Sequence, residues 1–169
     1  MLLVALCLPC LGHAETASPL YARGYTVLPV PQRAKLENRD VRFGSDWRLS
    51  VGPGIPADDV AIQSLRDELE PRDRIVLAGP SCRSAKGALN LAVAPNSVAI
   101  TNSADRAKDA LAEQAYKLTV SADEVSITGN SLTGLFYGVQ TFVQLLKPQS
   151  GAFGSLRARL KTGLTSNCA

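Results

Sequence analysis

One apolar stretch near the carboxyl end of the sequence constrains the fold more than any other. It runs from Ser131 to Leu146, SLTGLFYGVQTFVQLL, with apolar residues recurring at steps of three and one, which predicts one buried face of a helix. Ser131 can cap the first turn, and Pro148 stops the helix. Gly134 and Gly138 lie on one side. Because each glycine costs a helix about 1 kcal/mol relative to alanine, this pair predicts that a neighbouring backbone comes close.

Two short segments before this helix alternate apolar and polar residues. Tyr116–Val120 and Val125–Thr128 are predicted strands, and Ser121–Glu124 joins them as a tight antiparallel hairpin. Hairpin, turn and long helix therefore follow one another, so the helix can cover one face of a sheet. Because helices and strands do not alternate regularly along the chain, we expect an α+β fold, with an antiparallel or mixed sheet and helices packed on one face.

The remaining elements have weaker local signals. Short apolar or alternating runs predict strands at 25–30 (a sheet edge, because proline follows), 41–43, 47–51, 75–78, 89–94 and 98–101. Apolar spacing predicts a helix over 56–69, closed by Pro71. The segment 105–114 fits either a short helix or a charged surface loop, and the segment 79–87 is a predicted loop that carries Cys82.

Length and composition fit one ordinary globular domain. The 169 residues are 46% hydrophobic and 20% charged, within the usual range for soluble domains. The net charge of +3 comes from scattered Lys and Arg residues, which does not favour a nucleic-acid surface. No apolar run reaches the roughly 18 to 20 residues of a membrane span.

The first 14 residues have the pattern of a secretion signal. Leu2–Leu11 is an apolar core of suitable length, and Gly12-His13-Ala14 is a small-x-small cleavage site. The usual basic residues before the apolar core are missing, so we expect this signal peptide over 1–14 to be incomplete at its start. The mature chain is expected to be secreted or periplasmic and to begin with a flexible leader over 15–24.

Removal of the signal peptide restricts the chemistry of the chain. His13 is the one histidine in the sequence, so the mature chain cannot hold a Ser-His-Asp triad, a Cys-His pair or a histidine zinc site. Cys82 and Cys168 are the cysteines that remain, and whether they pair stays open. We therefore predict no cofactor and no metal site.

Adjacent carboxylates are the remaining candidates for acid–base catalysis. Asp123-Glu124 falls in the predicted hairpin turn, where solvated charges are common. Asp58-Asp59 and Asp67-Glu68 are predicted to be charges on a helix surface, the first pair at its positive N-terminal end. We therefore predict no catalytic residues in this chain, and whether the chain is itself an enzyme stays uncertain.

The amino-acid sequence of the long helix is more specific than the spacing of its apolar residues. The string GLFYGVQTFVQLL over 134–146 resembles the last helix of the N-terminal, non-catalytic domain of family 20 glycoside hydrolases, the β-N-acetylhexosaminidases. Two supporting matches occur in the same order, LPVPQ over 28–32 and AYKLTV over 115–120. The resemblance implies a hexosaminidase accessory domain over 25–148.

In that family the domain precedes a (β/α)₈ barrel, a unit of about 250 residues. The barrel carries an adjacent Asp-Glu pair, in which the glutamate protonates the leaving oxygen and the aspartate orients the attacking acetamido group of the substrate. The few residues after Leu146 cannot form that barrel. The resemblance thus implies an inactive fragment of an enzyme that removes terminal N-acetylhexosamine from glycans or chitin oligomers, with glycan contact only through the barrel.

The segment 149–169 lacks the I-x-D-x-P-x-x-x-x-R motif that the family carries after this helix. We expect it to be an aberrant tail. Back-translation with permitted codons, started at the third base of the Ala152 codon, can give FWLPAGTIEDWPDLQLR, which contains that spacing. A frameshift is therefore our hypothesis for the tail.

Two alternatives remain open. A freestanding secreted carbohydrate-binding or interaction module would need exposed aromatic side chains, for which the candidates are Tyr21, Tyr25, Trp47, Tyr116 and Tyr137. Trp47 is expected in the core, and Tyr137 is expected at the edge of the buried face of the long helix. The second alternative is the similar accessory domain of glycoside hydrolases that act on O-linked N-acetylglucosamine or glucuronides. Without a barrel, the face that packs on it is expected to be an uncovered apolar patch that promotes self-association.

Overall fold

A computed structural model of the chain describes residues 19–36, 41–100, 108–148, 155–158 and 164–166. The predicted signal peptide and Cys168 lie outside these residues. The described helices are α1 (Pro19–Ala22), α2 (Val60–Asp73), α3 (Lys108–Glu113) and α4 (Leu132–Leu145). The described strands are β1 (Val41–Gly44), β2 (Trp47–Val51), β3 (Gly87–Val93), β4 (Tyr116–Val120), β5 (Glu124–Gly129), β6 (Lys147–Pro148), β7 (Ser155–Ala158) and β8 (Leu164–Ser166).

Within these ranges the strands form two sheets. The larger sheet has the order β2-β3-β5-β4-β8, and the smaller one has the order β1-β7-β6. In the larger sheet, β3 is parallel to both β2 and β5, whereas β4 is antiparallel to β5 and β8. The predicted α+β fold with a mixed sheet is confirmed, and so is the β4–β5 hairpin.

The register of the larger sheet separates an apolar face from a polar one. Leu49, Leu89 and Val125 are aligned across β2, β3 and β5, and all three are buried. The next aligned set is half-exposed and polar, and consists of Ser50, Asn90 and Ser126. Side chains of α2 and α4 join the apolar face in one core cluster. The helices therefore cover one face of the sheet, as the alternation in the sequence predicts.

Helix α4 confirms most of what its sequence predicts. Its N-cap is Ser131, whose hydroxyl accepts hydrogen bonds from the amides of Thr133 and Gly134. A Cβ atom on Gly134 would lie 2.5 Å from the carbonyl oxygen of Ala115, so the predicted close backbone is present there. Gly138 instead faces side chains, since its Cβ would lie 2.5 Å from Cγ2 of Ile127. The prediction of a close backbone is therefore wrong at Gly138.

Helix α2 starts later and ends later than predicted. Asp59 is its N-cap, and its carboxylate accepts a hydrogen bond from the amide of Ala61 at 2.9 Å. Asp59 is buried, so the prediction that it is a surface charge is wrong. The prediction that Pro71 closes the helix is also wrong, because Pro71 lies inside α2. The helix ends at Arg74, a left-handed residue with φ 53° whose amide donates back to the last turn.

Three predicted strands are absent from the described residues. The segment 25–30 is irregular, and Tyr25 and Val27 are buried against the helices and sheet. The segment 75–78 contributes a single bridge, in which the amide of Ala78 donates to the carbonyl of Trp47 at 2.9 Å. Residues 98–100 are also irregular, and Thr101 lies outside the described residues.

The segments predicted to be leader and tail contain regular structure where they are described. Helix α1 lies inside the predicted flexible leader, and its Leu20 is 1% exposed. Of the segment 105–114, residues 108–113 form the short helix α3. Strand β7 pairs with β1, and β8 pairs with β4. In the described part of the chain, no helix has the length and apolar character that a membrane crossing requires.

Candidate functional site

The acidic pair Asp123-Glu124, at the end of the hairpin turn and the start of β5, is exposed and hydrogen-bonded within the turn and the sheet. The hydroxyl of Ser121 donates to Asp123 at 3.4 Å, and the amide of Asn90 donates to Glu124 at 2.8 Å. Both carboxylates are exposed, and Asp123 lies in the turn as predicted, whereas Glu124 is the first residue of β5 and pairs with Ala88, so its placement in the turn was wrong. Asp67 and Glu68 are likewise exposed on α2, so their prediction as surface charges is confirmed.

A glycosidase needs two carboxyl groups that flank a bound sugar. Residues of a turn and of a convex helix surface do not provide such a pair of facing walls. Among the described residues, no three His, Cys, Asp or Glu side chains converge on a point that could hold a metal ion. The absence of a catalytic residue from the whole chain stays a prediction.

Most of the aromatic candidates for sugar contact belong to the core. Tyr25, Trp47 and Tyr116 are between 0% and 5% exposed, so Trp47 lies in the core as predicted. Tyr137 is half-buried, as predicted for the edge of the buried face of the long helix, and Tyr21 is exposed. Two separate tyrosines do not make the aromatic platform that a carbohydrate-binding module uses, so the structure does not favour that alternative.

Cys82 lies in the loop between α2 and β3 as a free thiol. Its sulfur is 3.4 Å from the hydroxyl oxygen of Ser84. Hydrogen bonding to Ser84 lowers the pKa of the Cys82 thiol, because it stabilises the thiolate. Among the described residues, no histidine or carboxylate forms a hydrogen bond with this thiol that could make it half of a catalytic pair.

A groove of about 510 Å³ lies between α2 and the segment that follows it. Its lining is mainly apolar and includes Leu49, Leu69 and Val76, and its charged lining residues are Arg66 and Glu70. One carboxylate beside one guanidinium does not form an acid–base pair for glycoside hydrolysis. The residues that line this groove therefore provide an apolar surface but no acid–base pair for glycoside hydrolysis.

Asn130 is the polar centre of the region where α4 begins, and the sequence analysis missed it. Its side-chain amide donates to the carbonyls of Val98 and Ala112 at 2.9 and 2.8 Å. Its side-chain oxygen accepts from the amide of Val98 at 2.9 Å. Asn130 thus fixes the loop after β3 and the end of α3 to the start of α4. It is 7% exposed, and these bonds compensate for its burial.

A second side chain that the sequence analysis missed is Gln144 on α4. The amide of Leu28 donates to its Oε1 at 2.8 Å, and its Nε2 donates to the carbonyl of Leu28 at 3.0 Å. Nε2 also lies 3.2 Å from the carbonyl of Gln140, and Gln140 in turn donates to the hydroxyl of Ser64 on α2. One side chain therefore holds both backbone groups of Leu28 against the helix.

The outer face of α4 is the side turned away from the sheet. It carries Phe136, Gln140 and Gln144 at successive turns, and all three are half-buried. Tyr137 lies beside Phe136, with ring centroids 5.7 Å apart. Two glutamines at i and i+4 in a helix without charges are a signal that sequence reasoning can use, because their amides need partners when they are partly buried.

A family model described as "Glycosyl hydrolase family 20, domain 2" matches residues 24–162. Among curated proteins, none matches the sequence. The match covers most of the chain and includes the three segments on which the family resemblance was based.

Solved structures share the fold. The GH20 exo-β-N-acetylglucosaminidase of Vibrio harveyi superposes with a TM-score of 0.61 at 21% identity, over 83% of this chain and 19% of that one. The chitobiase of Flavobacterium johnsoniae gives a TM-score of 0.59 at 15% identity, over 86% of this chain and 21% of that one. The GH20 β-N-acetylhexosaminidase of Streptomyces coelicolor A3(2) gives a TM-score of 0.53 at 22% identity, over 81% of this chain and 26% of that one. The chain thus spans about a fifth to a quarter of the length of these enzymes.

Proposed function

The chain belongs to glycosyl hydrolase family 20 through that family's domain 2, and we propose that it is the accessory domain of a secreted β-N-acetylhexosaminidase. We call the full-length enzyme, with its catalytic domain, the parent enzyme. The observation that carries the proposal is the match of the domain 2 family model to residues 24–162, on a mixed sheet with α4 packed against it. The domain by itself supplies a scaffold and no catalytic group.

The parent enzyme hydrolyses terminal N-acetylhexosamine from glycans or chitin oligomers. Its chemistry requires an acid above the glycosidic oxygen and a group that orients the acetamido oxygen for attack. The candidate carboxylates have other roles: Asp59 caps a helix, Asp123 lies in an exposed turn, and Glu124 is the first residue of β5. The acid and the orienting group therefore belong to the catalytic domain.

A hydrolysis assay tests this division of labour. The 169-residue chain is mixed with an aryl N-acetyl-β-glucosaminide, and release of the aryl group is followed by absorbance. We expect no turnover above that of buffer, because the two carboxyl groups that line one described cleft, Asp109 and Glu113, lie one turn apart on the same side of α3 and do not face each other across it. Turnover that persists after repurification, and that disappears in an Asp123→Asn/Glu124→Gln variant, would show that the chain carries its own catalytic site.

Secretion is a separate part of the proposal. The apolar run Leu2–Leu11 and the small residues before Glu15 support export with cleavage after Ala14. Because the basic residues before the apolar core are missing, the chain is expressed in a bacterial host with basic residues added before Leu2. Mass spectrometry of the periplasmic fraction is then expected to give a mature chain that begins at Glu15. Retention of an uncleaved chain in the cytoplasm would contradict it.

The aberrant tail is the third part of the proposal. The shifted reading from Ala152 restores the family's motif spacing, which supports a change of frame at this point. Sequencing the encoding DNA beyond the stop codon is expected to find an open frame for the catalytic domain. If neither downstream reading frame encodes a barrel, the frameshift hypothesis is wrong.

A further inference from the structure

Strand β2 lies at one edge of the larger sheet, and the groove of about 510 Å³ lies beside its last residues. We propose that this end of β2 and the groove form an interface with a second copy of the chain, in which the two larger sheets continue into one another about a two-fold axis at Val51. We call Val51, Val76, Arg66 and Glu70 the dimer surface. The inference goes beyond the proposed function and does not depend on it.

The first argument is the unpaired end of β2. The amide of Leu49 donates outward to the carbonyl of Ala78 at 2.9 Å, whereas the amide of Gly52 donates inward to β3 at 2.8 Å. Because alternate residues of a strand present their backbone groups to opposite edges, the amide and carbonyl of Val51 point outward. The next residue that could donate to this edge is Pro80, which has no amide hydrogen, and no described residue bonds to the amide of Val51. An unpaired strand end of this kind can pair with another strand.

The second argument is that the groove beside Val51 is already formed. The segment after α2 is one of its walls and is held by hydrogen bonds. The amide of Ile75 donates to the carbonyl of Leu69 at 3.1 Å, and the amide of Val76 donates to the hydroxyl of Ser45 at 3.3 Å. Val76 and Val51 line the groove and are 62% and 38% exposed. A surface that is ordered before binding loses less conformational entropy when it binds.

The third argument identifies the occupant through charge. Arg66 and Glu70 line the α2 side of the groove and are exposed, and no ion pair joins them within the described part of the chain. A two-fold axis perpendicular to the sheet makes the two copies of α2 antiparallel, as it does the two copies of β2. Arg66 of each copy then lies opposite Glu70 of the other, because residues exchange roles across an isologous contact. The surface is therefore complementary in charge to itself, which favours a second copy over a partner with a surface of one charge sign.

The same axis provides partners for the backbone of Val51. The amide of each Val51 donates to the carbonyl of Val51 in the other copy, which gives one antiparallel pair with two hydrogen bonds. The side chain of Val51 lies on the same face of the sheet as that of Leu49, two residues earlier, and Leu49 is buried in the core. The two copies of Val51 therefore extend the apolar layer between sheet and helices across the interface.

An exchange of charges tests the interface. Sedimentation equilibrium of the 169-residue chain is expected to show a monomer–dimer equilibrium. Arg66→Glu and Glu70→Arg are each expected to raise the dissociation constant of the dimer by about tenfold or more, because each places like charges opposite one another across the axis. The double variant Arg66→Glu/Glu70→Arg restores opposite charges and is expected to dimerise like the unaltered chain. Lys117→Glu is the matched control, since it makes the same change of charge at an exposed residue of β4, and it is expected to leave the dissociation constant unchanged.

Circular dichroism checks that each variant is folded, which the exposure of the replaced residues leads us to expect. A chain that stays monomeric would overturn the inference. Single variants that dimerise like the unaltered chain, or a double variant as weak as the single ones, would also overturn it.

Hydrogen exchange followed by NMR is a second measurement that locates the contact. The amide of Val51 is expected to exchange more slowly as the concentration of the chain rises, because the second copy protects it. The amide of Leu49 is the internal control, since it is already bonded to Ala78, and its rate is expected to stay the same. Association without slower exchange at Val51 would place the contact elsewhere and overturn the inference. The proposed function is tested separately by the hydrolysis assay and is unaffected by this result.

Discussion

Helices α2 and α4 lie side by side and are both 14 residues long, but their outer faces differ. Helix α2 presents Arg66, Asp67 and Glu70 to solvent, as a surface helix of a finished domain does. Helix α4 presents Phe136, Tyr137 and two glutamines, and has no charge along its length. A helix that is apolar on nearly all sides is typical of a buried position. The difference is therefore between a helix with a charged outer face and a helix whose half-buried outer side chains are uncharged.

The largest expected effect comes from replacing one phenylalanine on each of the two sides of α4. Phe142 is fully buried and meets Phe43 edge-on at 5.1 Å, so Phe142→Ala should lower the free energy of unfolding by about 4 kcal/mol. Phe136→Ala removes a half-buried ring from the outer face and should cost about 1 kcal/mol. Urea unfolding followed by circular dichroism measures both. Equal losses would mean that the outer face is already covered within this domain.

The next effect tests how closely α4 approaches the rest of the domain. A methyl group at Gly134 would lie 2.5 Å from the carbonyl oxygen of Ala115, so the Gly134→Ala substitution should force the helix away. We expect a loss of about 2 kcal/mol despite the better helix propensity of alanine. Gly79→Ala is the control, because a Cβ atom on Gly79 would have no neighbouring atom within 4 Å, and this variant should unfold at the unaltered urea midpoint.

The caps of the two helices should be equivalent even though the outer faces are not. Asp59 and Ser131 each accept a hydrogen bond from the first turn of α2 and α4. Asp59→Ala and Ser131→Ala should each cost about 1 kcal/mol, measured by the same unfolding curves. A much larger loss for Ser131→Ala would assign extra weight to the hydrogen bond that its hydroxyl donates to the carbonyl of Glu113 at 2.7 Å.

The smallest effect is a gain at the end of α2. Arg74 adopts φ 53°, a left-handed conformation that glycine adopts with less strain. Arg74→Gly should raise the free energy of unfolding by about 0.5 kcal/mol, read as a small rise in the thermal midpoint. Asn96 is the internal control, since it also has a positive φ of 59° but is a residue type that tolerates it, so Asn96→Gly should change little.

Elements whose apolar residues recur with a clear period were predictable from the sequence. Features that depend on a contact between distant segments were not. Helix α4 and the β4–β5 hairpin follow from spacing that acts within one segment. The irregular path of 25–30 was not predictable, because it depends on Gln144, which lies far away in sequence. The sequence also did not show that Pro71 falls in the last turn of α2, where a missing amide costs little because few helical bonds follow it.

The features of the candidate functional site divide in the same way. The burial of Trp47 and the exposure of Asp123 were predictable from local pattern, whereas Leu28 was placed in a strand and its exposure was not anticipated. Thr141 interrupts the apolar face of α4, and its burial is explained only by its hydrogen bond to the hydroxyl of Tyr116 on β4. Such partners come from the tertiary structure, so a single sequence does not reveal them.

The central position of β3 has a consequence for synthesis of the chain. Its neighbours are β2, made before it, and β5, made well after it. While the ribosome adds the residues between, the edge of β3 that β5 will occupy stays unpaired, and an open strand edge invites pairing with other chains. The stretch from Tyr116 to Leu145 then supplies hairpin and helix as one contiguous block of short-range contacts, which forms quickly. We therefore expect nascent chains to pass through an aggregation-prone interval that ends when this block emerges.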